Sequence, residues 1–288
     1  MKSSKANTIL VTGANGQLGS CIKAIANNYP SCNVVFEDSS SLDITNRNQV
    51  LQYMSNSQFD YIINCAAYTA VDLAEDNKEK AFEINAKAVE NLTIACKRFS
   101  CTLLHVSTDF VFDGKKNAPY LEEDNTHPLN YYGASKLNGE QIIQQALSKY
   151  VIIRTSWLFS EFGNNFVKTM VRLGQEKKEL SIVADQYGSP TYAIDLAHIM
   201  LKFIASSSTS YGLYHFSNHG ATTWYNFAAE IFKLQNQDIR LHKTTSKQFA
   251  SRAIRPKYSV LETKKVKETL NIDIRNWQSA LKEMLSRL

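Results

Sequence analysis

An apolar pentapeptide, Thr8-Ile9-Leu10-Val11-Thr12, runs directly into Gly13-Ala14-Asn15-Gly16-Gln17-Leu18-Gly19, and a helical pattern follows. Few folds accept that order. A short run without polar alternation reads as a strand covered on both faces, as in a parallel sheet. Glycines spaced GxxGxxG let the chain turn tightly and leave backbone N–H groups free at a helix start, where a pyrophosphate can sit. The spacing is one residue longer than the usual dinucleotide fingerprint, and a glycine triplet alone also closes ordinary strand-to-helix loops. Its position, after the first buried strand and before a helix, points to a phosphate-binding turn.

The same alternation continues. Val34-Val35-Phe36, Tyr61 to Asn64, Leu103 to Ser107 and Tyr150 to Arg154 read as further buried strands. Amphipathic stretches, Lys78 to Phe99 and Ala134 to Ser148, lie between them. Buried strands separated by helices imply βαβ units and a Rossmann-like, doubly wound parallel sheet of the α/β class, which binds ligands at the carboxyl ends of its strands. After about residue 155 glycine, aromatic and polar residues mix more. The reading is a nucleotide-binding domain over 1–155, to which the chain returns at roughly 184–210, and a smaller C-terminal substrate lobe from 156–183 and 211–288.

Composition narrows the function classes. Hydrophobic residues are 44% of the 288 and charged residues 20%, ordinary values for a globular enzyme. A net charge of +5 with Lys and Arg scattered among acids argues against a nucleic-acid partner. The five cysteines show neither a CxxC pair nor metal-ligand spacing, which fits reduced thiols. The start, Met1-Lys2-Ser3-Ser4-Lys5, precedes only a short apolar run, so the expectation is a cytoplasmic protein without a membrane span.

Two features carry chemistry. The second strand ends at Glu37-Asp38, where an acid can hydrogen-bond an adenosine ribose and repel a 2′-phosphate, a tilt towards NADH that a solvated loop acid would also produce. Tyr132-Gly133-Ala134-Ser135-Lys136 opens the helix before the fifth strand, and positions i and i+4 share a helical face. An ammonium near the phenol would favour phenolate and improve Tyr132 as proton donor to a developing alkoxide. Of 14 tyrosines, Tyr132 alone has Lys four residues later. Ser107-Thr108 ends the fourth strand, where a hydroxyl can meet the same carbonyl oxygen.

Together these residues resemble the extended short-chain dehydrogenase/reductase superfamily, and within it the dTDP-4-dehydrorhamnose reductase family. The similarity includes GANGQLG at 13–19, LDIT at 42–45, NCAAYTAVDLAE at 64–75, STDFVFDG at 107–114 and YGASKLNGE at 132–140. RTSW at 154–157, GNNFV at 163–167, DQYGSPT at 185–191 and RPKYSVL at 255–261 are more diagnostic, because the superfamily at large lacks them. The resemblance implies Thr108, Tyr132 and Lys136 as catalytic triad, with Lys136 also holding the nicotinamide ribose. It implies an NADPH or NADH site formed by Gly13, Asn15, Gly16, Gln17, Leu18 and Gly19, by Asp43 and Ile44 at the adenine, by Ala66, Ala67 and Tyr68, and by Tyr132 and Lys136. Ser156, Trp157, Asn164 and Phe166 would join Thr108 at a dTDP-sugar, with Arg255 at its diphosphate. Core packing is the plain alternative for Trp157, and a surface ion pair for Arg255.

Relatives suggest three further expectations. Related 4,6-dehydratases carry an Asp-Glu pair after the strand-four hydroxyl, whereas this chain has Asp109-Phe110 and lacks that glutamate. The family also resembles the regulatory β subunit of methionine adenosyltransferase, against which the intact triad speaks. Some relatives are homodimers joined through Mg2+ held by glutamates; no acidic cluster identifies that site here, and Asn15 stands where such an acid could sit. His215 and His219 are four apart, but Ser217, Asn218 and Gly220 argue against a helix and against a metal there.

Overall fold

The computed structural model describes residues 6–206 and 208–288; the Met1 to Lys5 start lies outside them. Six parallel strands form one sheet: β1 (Asn7–Thr12), β2 (Cys32–Glu37), β3 (Tyr61–Asn64), β4 (Thr102–Thr108), β5 (Tyr150–Thr155) and β6 (Gly212–His215). Their order is β6-β5-β4-β3-β1-β2. The chain leaves β1 for β2 on one side and then returns for β3 on the other, so the topological switch point lies at the carboxyl end of β1. The strands are apolar on both faces because both are covered. Ile9 and Val11 pack with α1 (Gln17–Ile25) and the helix Ala193–Ala205, whereas Leu10 packs on the opposite side with Val89 and Leu92 of α2 (Ala88–Phe99).

The amphipathic stretch 78–99 is not one regular helix. A π-helical turn, Glu83–Lys87, interrupts it and carries Asn85 into the interior. There the Asn85 amide accepts from Tyr68 N (2.9 Å) and donates to Tyr68 O (3.0 Å) and Ser135 Oγ (3.0 Å), tying the loop after β3 to α3 (Tyr131–Ala146). Such bulges recur where a helix must serve a site rather than only a core.

Past residue 155 the chain builds three two-stranded sheets, α4 (Phe166–Glu176) and α5 (Trp224–Leu234). The return to the large sheet extends beyond the expected 184–210, since β6 at 212–215 pairs with β5. Leu213 and Tyr214 continue the apolar pattern, but the four-residue strand is too short to stand out among the aromatics around it. His215 lies in that strand and His219 in the loop after it, so no helix joins them. Among the described residues no helix is long and apolar enough to cross a membrane.

Candidate active site

The turn after β1 is shaped by two backbone approaches. Gly13 has φ +69, and a Cβ there would lie 2.6 Å from Ala66 N. Gly16 precedes α1 without any side-chain cap, so the first N–H groups of this nine-residue helix face outward free of protein partners, as an anion site needs. A cleft of about 550 Å³ opens beside them, lined by Gly13, Asn15, Gly16, Asp38, Asp43, Ile44, Ala66, Ala67 and Lys80 among others. Gly19 serves packing instead, against the Gly13 carbonyl.

Asp38 lines the cleft, but its carboxylate already has partners within the loop. Its carboxylate accepts from Ser40 N (2.8 Å), Ser40 Oγ (2.6 Å) and Ser41 N (3.3 Å), and Asn15 Nδ2 donates to its other oxygen. These bonds, led by the Ser40 hydroxyl, hold its pKa below the usual carboxylate range. Glu37 accepts from Tyr53 Oη (2.5 Å). Lys80 also lines the cleft, its ammonium paired with Glu83 at 2.8 Å.

A second cavity, about 490 Å³, shares Gly16, Cys65, Ala66 and Ala67 with the cleft. Gln17, Leu18, Thr108, Tyr132, Lys136, Ser156, Trp157, Asn164 and Arg255 line it. The dispersed sequence candidates therefore converge, with three exceptions, the first being Gly19, which packs inside the turn. Phe166 lines neither space and backs Trp224 at 4.6 Å between ring centroids. Tyr68 lines neither and is held through its backbone by Asn85.

Tyr132 reaches the end of β4 because the residue after it is glycine. A Cβ on Gly133 would stand 2.2 Å from the Phe110 carbonyl oxygen, so α3 presses directly on the turn Asp109–Val111. Asn130 caps the helix, its Oδ1 accepting from Gly133 N at 2.8 Å. Removal from water pushes the Tyr132 phenol up to about 12, against the Thr108 hydroxyl, which lowers it, and with the Asp109 carboxyl raising it further.

Lys136 lines the same cavity as Tyr132 and is anchored on β4. Its Nζ donates to the Val106 carbonyl (2.6 Å) and lies 3.2 Å from His105 Nε2. Burial pulls it down to about 8. One turn further, Glu140 accepts from Arg154 Nε (3.0 Å) and Nη2 (2.7 Å), in a pair less than 5% exposed that ties α3 to β5.

Several site residues escaped the sequence reading. Asp109 is buried beside Thr108 (3.2 Å), its Oδ2 lacks a hydrogen-bond partner among the described residues, and desolvation lifts it to about 7. Trp224 stacks on Trp157 at 3.6 Å, and Trp157 takes φ +47 to present its ring there. Trp157 thus both packs and lines the cavity. Arg255 is held by Asp72 (2.6 Å) and also lines the cavity. Among the described residues no group of three or more His, Cys, Asp or Glu side chains is placed to hold a metal, which leaves the Mg2+ expectation without support.

The chain is similar to known proteins along nearly its whole length. The family described as RmlD substrate binding domain matches residues 7–288. The chain is 40% identical over 287 residues to a dTDP-4-dehydrorhamnose reductase of Aggregatibacter actinomycetemcomitans, covering 96% of this chain and 97% of that protein. It is 36% identical over 276 residues to a dTDP-4-keto-6-deoxy-D-glucose reductase of Streptomyces niveus, with 94% of each covered. The crystal structure of a Bacillus anthracis dTDP-4-dehydrorhamnose reductase in complex with NADP superposes with a TM-score of 0.94 at 40% identity, covering 98% of this chain and all of that one.

Proposed function

Because the chain belongs to the dTDP-4-dehydrorhamnose reductase family, we propose that it reduces the 4-keto group of dTDP-4-dehydro-L-rhamnose to give dTDP-L-rhamnose, with NAD(P)H as reductant and Tyr132 as proton donor. The observation that carries this reading is the joined pair of cavities: the uncapped start of α1 opens on one, and Thr108, Tyr132, Trp157 and Arg255 meet in the other. The nicotinamide cofactor supplies the hydride when bound.

The free N–H groups after Gly16 hold its pyrophosphate, Asp43 and Ile44 border the adenine, and Ala66 and Ala67 leave room along the cleft. Thr108 Oγ1 donates to the sugar carbonyl and fixes its direction. Tyr132 delivers the proton, and a phenol raised to about 12 is fully protonated at neutral pH, the form a reduction requires. Lys136 binds the ribose. Ser156 and Asn164 position the sugar, and Arg255 pairs with its diphosphate. Lys80 and the self-satisfied Asp38 make the adenosine end compatible with a 2′-phosphate as well as a hydroxyl.

The test follows nicotinamide absorbance with dTDP-4-dehydrorhamnose made in place, NADH and NADPH being offered in parallel. Substrate-dependent oxidation that falls at least about 100-fold in Tyr132→Phe supports the reading. Full turnover in a Tyr132→Phe protein that binds cofactor would sink the proton-donor role. Oxidation only with dTDP-4-keto-6-deoxy-D-glucose would move the substrate.

A further inference from the structure

Thr12, Asn64 and His105 stand at one level on three adjacent strands, Thr12 beside Asn64 and Asn64 beside His105. Their side chains form a buried chain ending on Lys136. Thr12 Oγ1 donates to Asn64 Oδ1 (2.8 Å), Asn64 Nδ2 is 3.1 Å from His105 Nδ1, and His105 Nε2 is 3.2 Å from Lys136 Nζ. None of the four residues is more than 2% exposed.

The polarity of the chain is decided at Asn64. The backbone N–H of Ala66 donates to the same Asn64 oxygen (3.1 Å), and a backbone N–H can only donate. The atom facing His105 is therefore the amide nitrogen, a donor, and His105 Nδ1 must accept. A neutral imidazole that accepts at Nδ1 carries its proton on Nε2. That N–H points at Lys136 Nζ. An ammonium has no lone pair with which to accept it, whereas an amine has one and can still donate to the Val106 carbonyl.

We propose that His105 is a positioning residue that docks Lys136 as a neutral amine at the carboxyl edge of the sheet, through an Nε2–H···Nζ hydrogen bond whose direction Asn64 dictates.

The remaining surroundings are compatible. The other groups around Lys136 are Glu140, which favours the ammonium but is paired with Arg154, the Cys65 thiol, which burial raises, and the phenol of Tyr132 with Asp109 behind it. Burial lowers both His105 and Lys136, the latter to about 8, so the docked amine is the form that predominates above that pH. A docked amine exerts no pull on Tyr132, which stays protonated; an ammonium released towards an anionic ligand would exert it. The inference deepens the reading of Tyr132 as proton donor and rests on it only for its functional meaning.

The test uses the whole protein without ligand. Imidazole 15N shifts at pH 9, about one unit above the Lys136 midpoint, are expected to show His105 with its proton on Nε2; a proton on Nδ1 there overturns the proposal. The Lys136 13Cε resonance is expected to titrate near 8, and in His105→Phe to move up by about one pH unit, tenfold in the ammonium-to-amine ratio, because a bond to the neutral form is lost. An unmoved midpoint in a folded variant overturns it. Should that variant not fold, the wild-type tautomer decides alone. Both readouts are independent of turnover, so a protein inactive on the sugar would refute the proposed reaction and leave this result standing.

Discussion

Replacing Glu140 by Gln tests how the site is held to the sheet. Arg154 meets the Glu140 carboxylate with two nitrogens, at 3.0 and 2.7 Å, and the side chains are 4% and 1% exposed. The guanidinium also lies over Phe112 at 5.1 Å, with His215 at 3.5 Å, and neither neighbour neutralises it. Glu140→Gln therefore leaves a buried cation uncompensated, at a cost of about 3–5 kcal/mol. For a chain of this size that corresponds to a melting temperature lower by about 10 °C. Arg154→Met should cost a similar amount by stranding the carboxylate. The double variant Glu140→Met/Arg154→Met should recover most of it, because two apolar chains of similar volume replace the pair without stranding a charge. Urea unfolding of these variants together with Glu140→Met closes the cycle, with an expected coupling above about 2 kcal/mol. Either single variant lying within about 1 kcal/mol of wild type would refute the claim that the pair sits in a low-dielectric interior.

Three further outcomes follow from the same geometry. Gly133→Ala puts a Cβ 2.2 Å from the Phe110 carbonyl, so α3 must back away from the turn after β4; turnover should fall at least about tenfold while cofactor affinity, measured by fluorescence titration, changes little. Asp109 has a folded-state pKa raised by burial to about 7, above its unfolded value, so its contribution favours the fold at low pH and is lost as pH rises through 7. Asp109→Asn should accordingly stabilise the fold by up to about 4 kcal/mol at pH 8.5, with a higher melting temperature, and by only about 1.5 kcal/mol at pH 5, where the loss has just begun above the unfolded value; a pH-independent change would contradict the burial argument. Arg255→Ala should raise KM for the dTDP-sugar about tenfold or more with kcat nearly unchanged, and an unchanged KM would reduce Arg255 to the partner of Asp72.

Local chemistry was legible where one segment carries the whole argument. The turn at Gly13 to Gly19 needs only a strand before it and a helix after it, and both are adjacent in the chain. Tyr132 and Lys136 share a helix, so their spacing alone places them on one face. The first five strands were readable because each centres on a continuous apolar run without the alternation of a solvent-facing strand. β6 is no shorter than β3 but was not readable, since it begins at Gly212 and has only Leu213 and Tyr214 to carry the pattern. The π-turn at Glu83–Lys87 was invisible for a different reason: what stabilises it is Asn85 bonding to Tyr68 and Ser135, residues distant in the chain.

That distinction explains why Lys136 was the least readable member of the triad. Its spacing from Tyr132 says that the lysine can approach the phenol, and nothing in the helix says what else it can reach. The competitors come from β4, through His105 and the Val106 carbonyl, and their orientation is set two strands away by Asn64 and the Ala66 N–H. His105 in the sequence is a single polar residue inside an apolar run, indistinguishable from a histidine satisfied by any core contact. Only the register of three parallel strands lines Thr12, Asn64 and His105 into a chain with a defined donor direction. Thr108 and Tyr132 would give the reaction its proton and its alignment, while the charge state of Lys136 depends on a sheet edge no single segment encodes.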